Sequence, residues 1–319
     1  MKPAKVLYLD QNKWIELARA LQEPNKHGVT YSVAESLVRA IETNMMIIPL
    51  SAANIYETQK INDVERRAIL AQVQVSLSGG IVFRGHSAIL YTQILHFLAR
   101  LFDITVSSLE PYWFLSSNPL NYVGFSFESV HGDSVPLNLI DAINDSPAAV
   151  LHSYLMEVPE DVRRSGVEGF SAASNDLISQ ITQRSALVTD QSLETQRRAY
   201  GAHLLMEKID LVLEIASKIG APIRKFSDMP DGSWRALMDD VGLFYVEREL
   251  VIRIEREGRD VNENDLRDVS SFSSAFCLAD FVVGEKASIN RARQAKLNER
   301  FSNVLCTSLE DLLPILPIH

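Results

Sequence analysis

The sequence has few cysteines and no apolar run long enough for a membrane span. Cys277 and Cys306 are its two cysteines, which excludes a disulfide-built scaffold and a zinc site made of thiolates. No stretch approaches eighteen consecutive apolar residues, and Asp10 interrupts the apolar run near the start. We therefore expect no signal peptide and no membrane contact, and a soluble cytoplasmic protein.

Several motifs of well-known enzyme sites are also missing. The sequence contains no GxxxxGK[ST] phosphate loop, no GxGxxG after a strand, no HExxH and no GxSxG. The seven histidines show no spacing typical of metal ligands. A candidate site must therefore be sought among other residue types.

The charge balance is acidic. Thirty-one Lys and Arg against 41 Asp and Glu give a net charge of −10, while 46% of the residues are hydrophobic. The apolar content is typical of a folded protein with a sizeable core. The negative charge argues against coating nucleic acid by bulk charge, but a local basic face or acids gathered around a metal remain compatible with it.

Short apolar runs alternate with helical patterns at both ends of the chain. Val6–Asp10, Met45–Leu50 and Ile81–Phe83 are each followed by helical periodicity, and strand signals return at Phe281–Val283 and Val304–Cys306. This alternation predicts an α/β fold with a parallel sheet covered on both faces. Between about residues 87 and 257 the pattern is mostly helical, which indicates one α/β domain split by a helical insertion.

Acidic residues stand where the predicted strands end. Asp10 ends the first strand, Glu57 lies two turns into the helix after the second, and Glu285 follows the FVVG strand. Asp265 and Asp268 open the helix before that strand. The carboxyl ends of parallel strands share one edge, where function gathers.

Such a group of acids requires compensation. Two carboxylates about 5 Å apart at a dielectric near 20 repel each other by about 3 kcal/mol. A divalent cation would neutralise them, and all-oxygen ligation suits Mg²⁺ or Mn²⁺. The alternative is that these acids cap helices, which Asp265 or Asp268 would do well. The pattern alone leaves both interpretations open.

The same segments carry a family resemblance. VLYLDQNKWIELA, IIPLSAANIYET, NDLRDVSSFSSAFCLADFVVGEKASINRAR and FSNVLCTSLEDLLPIL resemble PIN-domain nucleases, specifically the larger bacterial PIN-like proteins with a helical insertion. The similarity covers residues 1–104 and 245–319, which we take as a discontinuous nuclease core. Residues 105–244 would form the insertion.

The resemblance implies a three-layer α/β/α core with a parallel sheet in strand order 3-2-1-4-5. It also implies a metal-dependent endoribonuclease that hydrolyses RNA phosphodiester bonds with Mg²⁺ or Mn²⁺. By position, the four acids are Asp10, Glu57, Asp268 and Glu285, with Asp265 as a rival for the third place and Ser51 as a residue that orients Asp10.

An RNA substrate would require local positive charge. Residues 286–300 carry five basic side chains against one acid, directly after Glu285, and a solvated helix face is the alternative interpretation. The residues we expect to contact RNA are Lys286, Arg291, Arg293, Lys60 and Arg267. A non-cleaving PIN-like scaffold that binds RNA or protein is the alternative function. The family also suggests a toxin with an antitoxin or other regulatory protein as partner, and a homodimer is a further expectation.

Overall fold

The computed structural model describes residues 3–123, 137–164, 178, 191–257 and 261–316. Among these residues, no helix is both long and apolar enough to cross a lipid bilayer. The chain forms two compact units, which we call the sheet unit and the helical unit. The sheet unit contains Met1–Gly85, Phe114–Ala173 and Ser274–His319, and the helical unit contains His86–Trp113 and Ser174–Ser273.

Helices and short strands follow one another along the chain. The strands are β1 (Lys5–Leu9), β2 (Met46–Ile47), β3 (Val82–Phe83), β4 (Leu115–Ser116), β5 (Phe281–Val283) and β6 (Val304–Cys306). The helices are α1 (Gln11–Gln22), α2 (Gly28–Glu42), α3 (Ala52–Lys60), α4 (Val64–Ser78), α5 (His86–Leu101), α6 (Leu137–Asp145), α7 (Pro147–Met156), α8 (Leu193–Ile219), α9 (Ser233–Asp240), α10 (Gly242–Arg256), α11 (Glu263–Leu278), α12 (Lys286–Gln294) and α13 (Leu297–Phe301).

The sheet unit is built on a parallel sheet of four strands in the order β2-β1-β5-β6. Leu9 lies opposite Val283, and Val283 lies opposite Cys306, so three strands end at the same level. A parallel bridge between Leu50 and Val82 lies next to this sheet, and β3 pairs antiparallel with β4. The predicted α/β class with a parallel sheet is therefore confirmed.

The core of the sheet unit follows from the sequence of its strands and helices. Leu7 and its neighbour Tyr8, on opposite faces of β1, are both fully buried, as expected for a strand that is covered on both faces. Trp14 and Leu17 put one face of α1 into the same core, which is the helical periodicity seen in the sequence. Helix α4 ends where Gly79 adopts a left-handed conformation, with φ of 60°.

Part of the sequence assigned to the insertion belongs to the sheet unit. The ring of Phe114 stacks on that of Phe83, with centroids 6.0 Å apart. Leu151 and Leu155 of α7 are buried in the main core, at 0% and 2% exposure. Phe114, Leu151 and Leu155 thus supply apolar surface to the sheet unit, a long-range effect that local periodicity does not reveal.

The helical unit contains α5, α8, α9, α10 and most of α11. Its interior includes the fully buried carboxylate of Glu249, which accepts a bidentate pair of hydrogen bonds from Arg197, both of 2.8 Å. Arg253 donates to the same carboxylate at 2.9 Å. Hydrogen bonds of this kind compensate the desolvation that would otherwise make the buried charge unfavourable.

Candidate functional site

Asp10 stands at the carboxyl end of the central strand β1. Its backbone amide donates to the carbonyl oxygen of Val283 at 3.0 Å, and its side chain accepts from the amide of Gln11 at 2.8 Å. The residue is therefore the N-cap of α1 as well as the last link between β1 and β5. One carboxylate oxygen is oriented by the start of the helix, and the residue remains partly exposed.

Glu285 stands at the end of the neighbouring strand. It follows β5 and Gly284, immediately before α12, and its side chain is exposed. The side chain of Asn12 donates a hydrogen bond to its carboxylate. The first turn of α1 is thus joined to the end of β5. Asp10 and Glu285 consequently lie at adjacent strand ends on one edge of the sheet, as the sequence predicts.

Glu57 lies on α3, which leaves the same edge of the sheet. Ser51 caps this helix, and its hydroxyl and amide both donate to the side-chain oxygen of Asn54, at 2.8 and 3.0 Å. Asn54 in turn donates to the carbonyl oxygen of Leu9 at 3.3 Å. Ser51 therefore bonds to Asn54 rather than to Asp10. Glu57 follows Asn54 by one helical turn and is partly exposed.

Asp265 and Asp268 belong to the helical unit. Asp265 is 4% exposed and closes a reciprocal cap at the start of α11. Its carboxylate accepts from the amide of Asn262 at 3.1 Å, and its own amide donates to the Asn262 side chain at 3.2 Å. Asp268, one turn later, is more accessible. The capping role that we weighed for these acids is therefore observed for Asp265.

The basic residues differ in their accessibility. Arg291 is 6% exposed, and Arg293 donates to the carbonyl oxygen of Leu305 at 2.8 Å. Lys60 and Lys286 are exposed, and the ammonium of Lys60 lies 6.0 Å from the centre of the Tyr56 ring. The side chain of Arg267 lies outside the described residues. Lys286 is thus an accessible cation next to Glu285.

An open groove of about 510 Å³ lies beside the end of β5, where Glu285 lines it. It is lined on one side by α1 and on the other by the start of α12. The lining residues are Asn12, Lys13, Ile15, Glu16, Arg19, Glu285, Lys286, Ala287 and Thr307. Lys13, Arg19 and Lys286 give it three basic side chains against the two acids Glu16 and Glu285, and Lys13 pairs with Glu16 at 2.7 Å.

The α1 side of this groove is not predicted by any of the sequence motifs above. Asn12, Glu16 and Arg19 recur at spacings of four and three residues, so they share one face of α1. The signal was present in the sequence as a polar stripe opposite the apolar stripe of Trp14 and Leu17. It becomes informative only when the groove beside that stripe is known.

The acidic side chains of the candidate site determine which kind of metal site it could form. Across the described parts of the chain, no three or more His, Cys, Asp or Glu side chains are grouped so that they could hold a metal ion. Asp10 and Glu285 supply carboxylate oxygens, which suit Mg²⁺ or Mn²⁺. Mg²⁺ commonly binds through one or two carboxylates and completes its shell with water and substrate phosphate. Asp10 and Glu285 are donors of the chemical type that such a site uses, and within the described residues they are not part of a group of three or more acids.

Comparison of the chain with protein-family models, with curated proteins and with solved structures finds no match.

Proposed function

We propose that this protein is a metal-dependent endoribonuclease that hydrolyses RNA phosphodiester bonds at the carboxyl edge of its parallel sheet. The observation that carries the proposal is the position of Asp10 and Glu285 at adjacent strand ends, together with a groove that Glu285 lines and that contains three basic side chains. In an open parallel sheet, ligands bind outside this edge. Carboxylates beside cations suit a metal ion together with a phosphate backbone.

The arrangement of the strands supports a PIN-like core. The Leu50–Val82 bridge would extend the sheet to the order β3-β2-β1-β5-β6. Leaving out β4, which pairs with β3, this is the order 3-2-1-4-5 implied by the resemblance. The amide of Phe83 donates to the carbonyl oxygen of Leu50 at 2.8 Å, and the amide of Leu50 donates to that of Ile81 at 3.0 Å.

The residues of the chain have separable roles in this proposal. Asp10 and Glu285 would hold the metal ion, with Glu57 as a further acid on α3. When bound, Mg²⁺ or Mn²⁺ supplies Lewis-acid stabilisation of the charge that develops on the phosphate oxygens. Lys286 and Arg19 would hold the neighbouring phosphates, while Asn12 orients the Glu285 carboxylate.

Cleavage of end-labelled single-stranded RNA of mixed sequence tests the proposal. We expect cleavage with Mn²⁺ or Mg²⁺ and none with EDTA. Asp10→Asn should lower the rate by at least about 100-fold, since a lost transition-state contact of this kind costs about 3 kcal/mol. Asp280→Asn is the matched control, because Asp280 accepts from Lys5 and from the amide of Val6 at the opposite edge of the sheet. Activity that survives EDTA or Asp10→Asn would refute the proposal.

A second candidate function is a scaffold that binds RNA without cutting it. It is favoured by the lack of a three-acid group within the described residues. Thermal unfolding with and without Mn²⁺ separates the two functions. A metal ion present at 100 times its Kd adds about 2.7 kcal/mol to the stability, so the nuclease should show a clear upward shift of Tm. RNA binding without such a shift would favour the scaffold.

A further inference from the structure

A closed ring of hydrogen bonds lies inside the sheet unit, and two of its members directly follow Asp10 and Glu57 in the chain. The side-chain amide of Gln11 donates to the hydroxyl of Thr58 at 3.0 Å. Thr58 donates to the side-chain oxygen of Gln74 at 2.8 Å, and the amide of Gln74 donates back to the oxygen of Gln11 at 3.3 Å. Each of the three side chains therefore donates once and accepts within the ring. The ring joins α1, α3 and α4.

Asn54 connects this ring to the end of β1. Its amide group donates to the side-chain oxygen of Gln11 and to the carbonyl oxygen of Leu9, both at 3.3 Å. Its oxygen accepts the two hydrogen bonds from Ser51 described above. Asn54 thus makes all four hydrogen bonds of which an asparagine side chain is capable. Asn54 is 1% exposed, and Thr58 and Gln74 are both 0% exposed.

The two carboxylates on this side of the site are chain neighbours of ring members. Asp10 precedes Gln11, and its carboxylate accepts from the Gln11 amide. Glu57 precedes Thr58. The Gln11–Thr58 hydrogen bond therefore links the two backbone positions next to these acids, although they are 47 residues apart in sequence.

A buried polar group that loses its partner keeps the full cost of desolvation, so such a network tolerates few alternative arrangements. Apolar side chains in the same place would permit α3 to slide or rotate against α1 at little cost. None of the ring members or Asn54 is charged. The geometry they impose is therefore independent of pH over the whole range in which carboxylates titrate.

We propose that Gln11, Asn54, Thr58 and Gln74 are positioning residues that fix α3 against α1, and so hold Glu57 in register with Asp10. An effect of these residues on RNA cleavage rests on the proposed nuclease function. Their effect on the position of α3 relative to α1 does not. The network would act through the two acids and makes no contact with substrate.

Thr58→Val tests the proposal, because it removes the hydroxyl while nearly keeping the shape of the side chain. Thr58→Ser is the conservative partner, since it keeps the hydroxyl. Asn303→Ala is the matched control for lost stability. Asn303 is also buried and donates to the carbonyl oxygen of Phe276 at 2.6 Å, next to the amino end of β6.

The positional readout is the distance between spin labels on α1 and α3. Labels are attached at Leu21→Cys and Lys60→Cys, both exposed positions, in the full chain with Cys277→Ala and Cys306→Ala. We expect Thr58→Val to broaden or shift the distance distribution, and Thr58→Ser to restore it. The Asn303→Ala distribution should match that of the parent protein. An unchanged distribution in Thr58→Val would overturn the proposal.

The functional readout is the kinetics of RNA cleavage with Mn²⁺. Loss of a residue that orients a metal-binding group typically costs about 10-fold to 100-fold in activity. We expect kcat to fall by that factor in Thr58→Val with KM little changed, while Asn303→Ala keeps its kcat. Equal kcat losses in both variants would assign the network a purely structural role and overturn the proposal. If the parent protein cuts no RNA, the nuclease proposal fails, and the spin-label distances alone decide the positional one.

Discussion

The amide of Asp10 donates to the carbonyl oxygen of Val283 at 3.0 Å, and this hydrogen bond continues the pairing of β1 with β5 by one step. Because of this hydrogen bond, Asp10 at the end of β1 lies level with Gly284 at the end of β5. Glu285 then comes next along the chain, with its carboxylate held by Asn12. The edge of the sheet therefore carries one acid from each end of the sequence.

Replacing Lys286 should weaken RNA binding. Lys286 lines the groove beside Glu285, and one lost phosphate contact lowers the salt dependence of binding by about one unit of slope. We expect Lys286→Gln to reduce affinity for single-stranded RNA and to flatten the plot of log Kd against log salt. Lys5→Gln, which changes an exposed lysine at the opposite edge, should leave both unchanged. Equal effects of the two substitutions would contradict binding of the RNA in this groove.

Arg163 should contribute strongly to stability. Its side chain is 4% exposed and donates to Asn62 at 3.0 Å and to the backbone carbonyl of Gln59 near the end of α3. Arg163→Met leaves these acceptors unpaired and should lower the free energy of unfolding by about 3 kcal/mol in urea titrations. Arg163 and its neighbour Arg164 both pair with Glu160, but Arg164 is 67% exposed. Arg164→Met should therefore cost less than about 1 kcal/mol, and similar losses for both variants would contradict the assignment.

Two adjacent glycines should differ in their tolerance of a side chain. A Cβ on Gly80 would lie 2.6 Å from the backbone nitrogen of Ala148 and from the carbonyl carbon of Pro147, and φ is +83°. Gly80→Ala should cost about 3 kcal/mol, from overpacking together with the left-handed backbone. A Cβ on Gly79 meets nothing within 4 Å, at a φ of +60°, so Gly79→Ala should cost about 1 kcal/mol. Chemical denaturation compares the two, and a Gly80 variant as stable as the Gly79 variant would contradict this packing.

The two thiols should react at different rates. Burial raises the pKa of Cys306 to about 11, with the Asp311 carboxylate adding to the effect. At pH 8 only about one Cys306 in a thousand would then be a thiolate, which is the reactive form. Cys277 is more accessible. We expect iodoacetamide to modify Cys277 at least about 10 times faster, as followed by mass spectrometry, and faster labelling of Cys306 would contradict its burial.

His86 should make stability depend on pH. Burial lowers its pKa from 6.5 to about 4, with a further contribution from the charge of Lys208. The unfolded chain then binds more protons than the folded one, so stability is lost as pH falls below 6.5 and continues to fall towards pH 4. Between pH 7 and pH 5 the loss attributable to His86 is about 2 kcal/mol. Urea titrations at both pH values should show that the wild type loses about 2 kcal/mol more stability between pH 7 and pH 5 than His86→Leu does. Equal losses in the two proteins would contradict this assignment.

Local sequence features were sufficient to predict the strands of the parallel sheet. Residues 281–283 and 304–306 were predicted as strands and are observed as β5 and β6 with the same bounds. Buried parallel strands are short apolar runs without alternation, and these runs are flanked by polar residues. The positions of Asp10 and Glu285 at the strand ends followed from the same reasoning.

Tertiary contacts decided the features that the sequence did not predict. The assignment of residues 114–173 to the sheet unit depends on Phe114, Leu151 and Leu155, whose partners lie far away in sequence. The sequence also did not predict which basic residues after Glu285 are exposed. A run of positive charge does not indicate which residues face solvent, and Arg291 proves to be buried whereas Lys286 is exposed. The buried ring of Gln11, Thr58 and Gln74 joins three helices, so no single segment reveals it.

The central position of β1 has a consequence for synthesis of the chain. One side of β1 pairs with β2, and the other side pairs with β5, which is synthesised much later. Val6 and Asp280, which are hydrogen-bonded beside this pair of strands, are 274 positions apart in the sequence. At a ribosomal speed of about 5–20 residues per second, this interval lasts about 14–55 s. During that time Asp10 exists without Glu285, and the open side of β1 is an unpaired strand edge. Any chemistry that needs both acids is therefore withheld from the nascent chain until its final strands leave the ribosome.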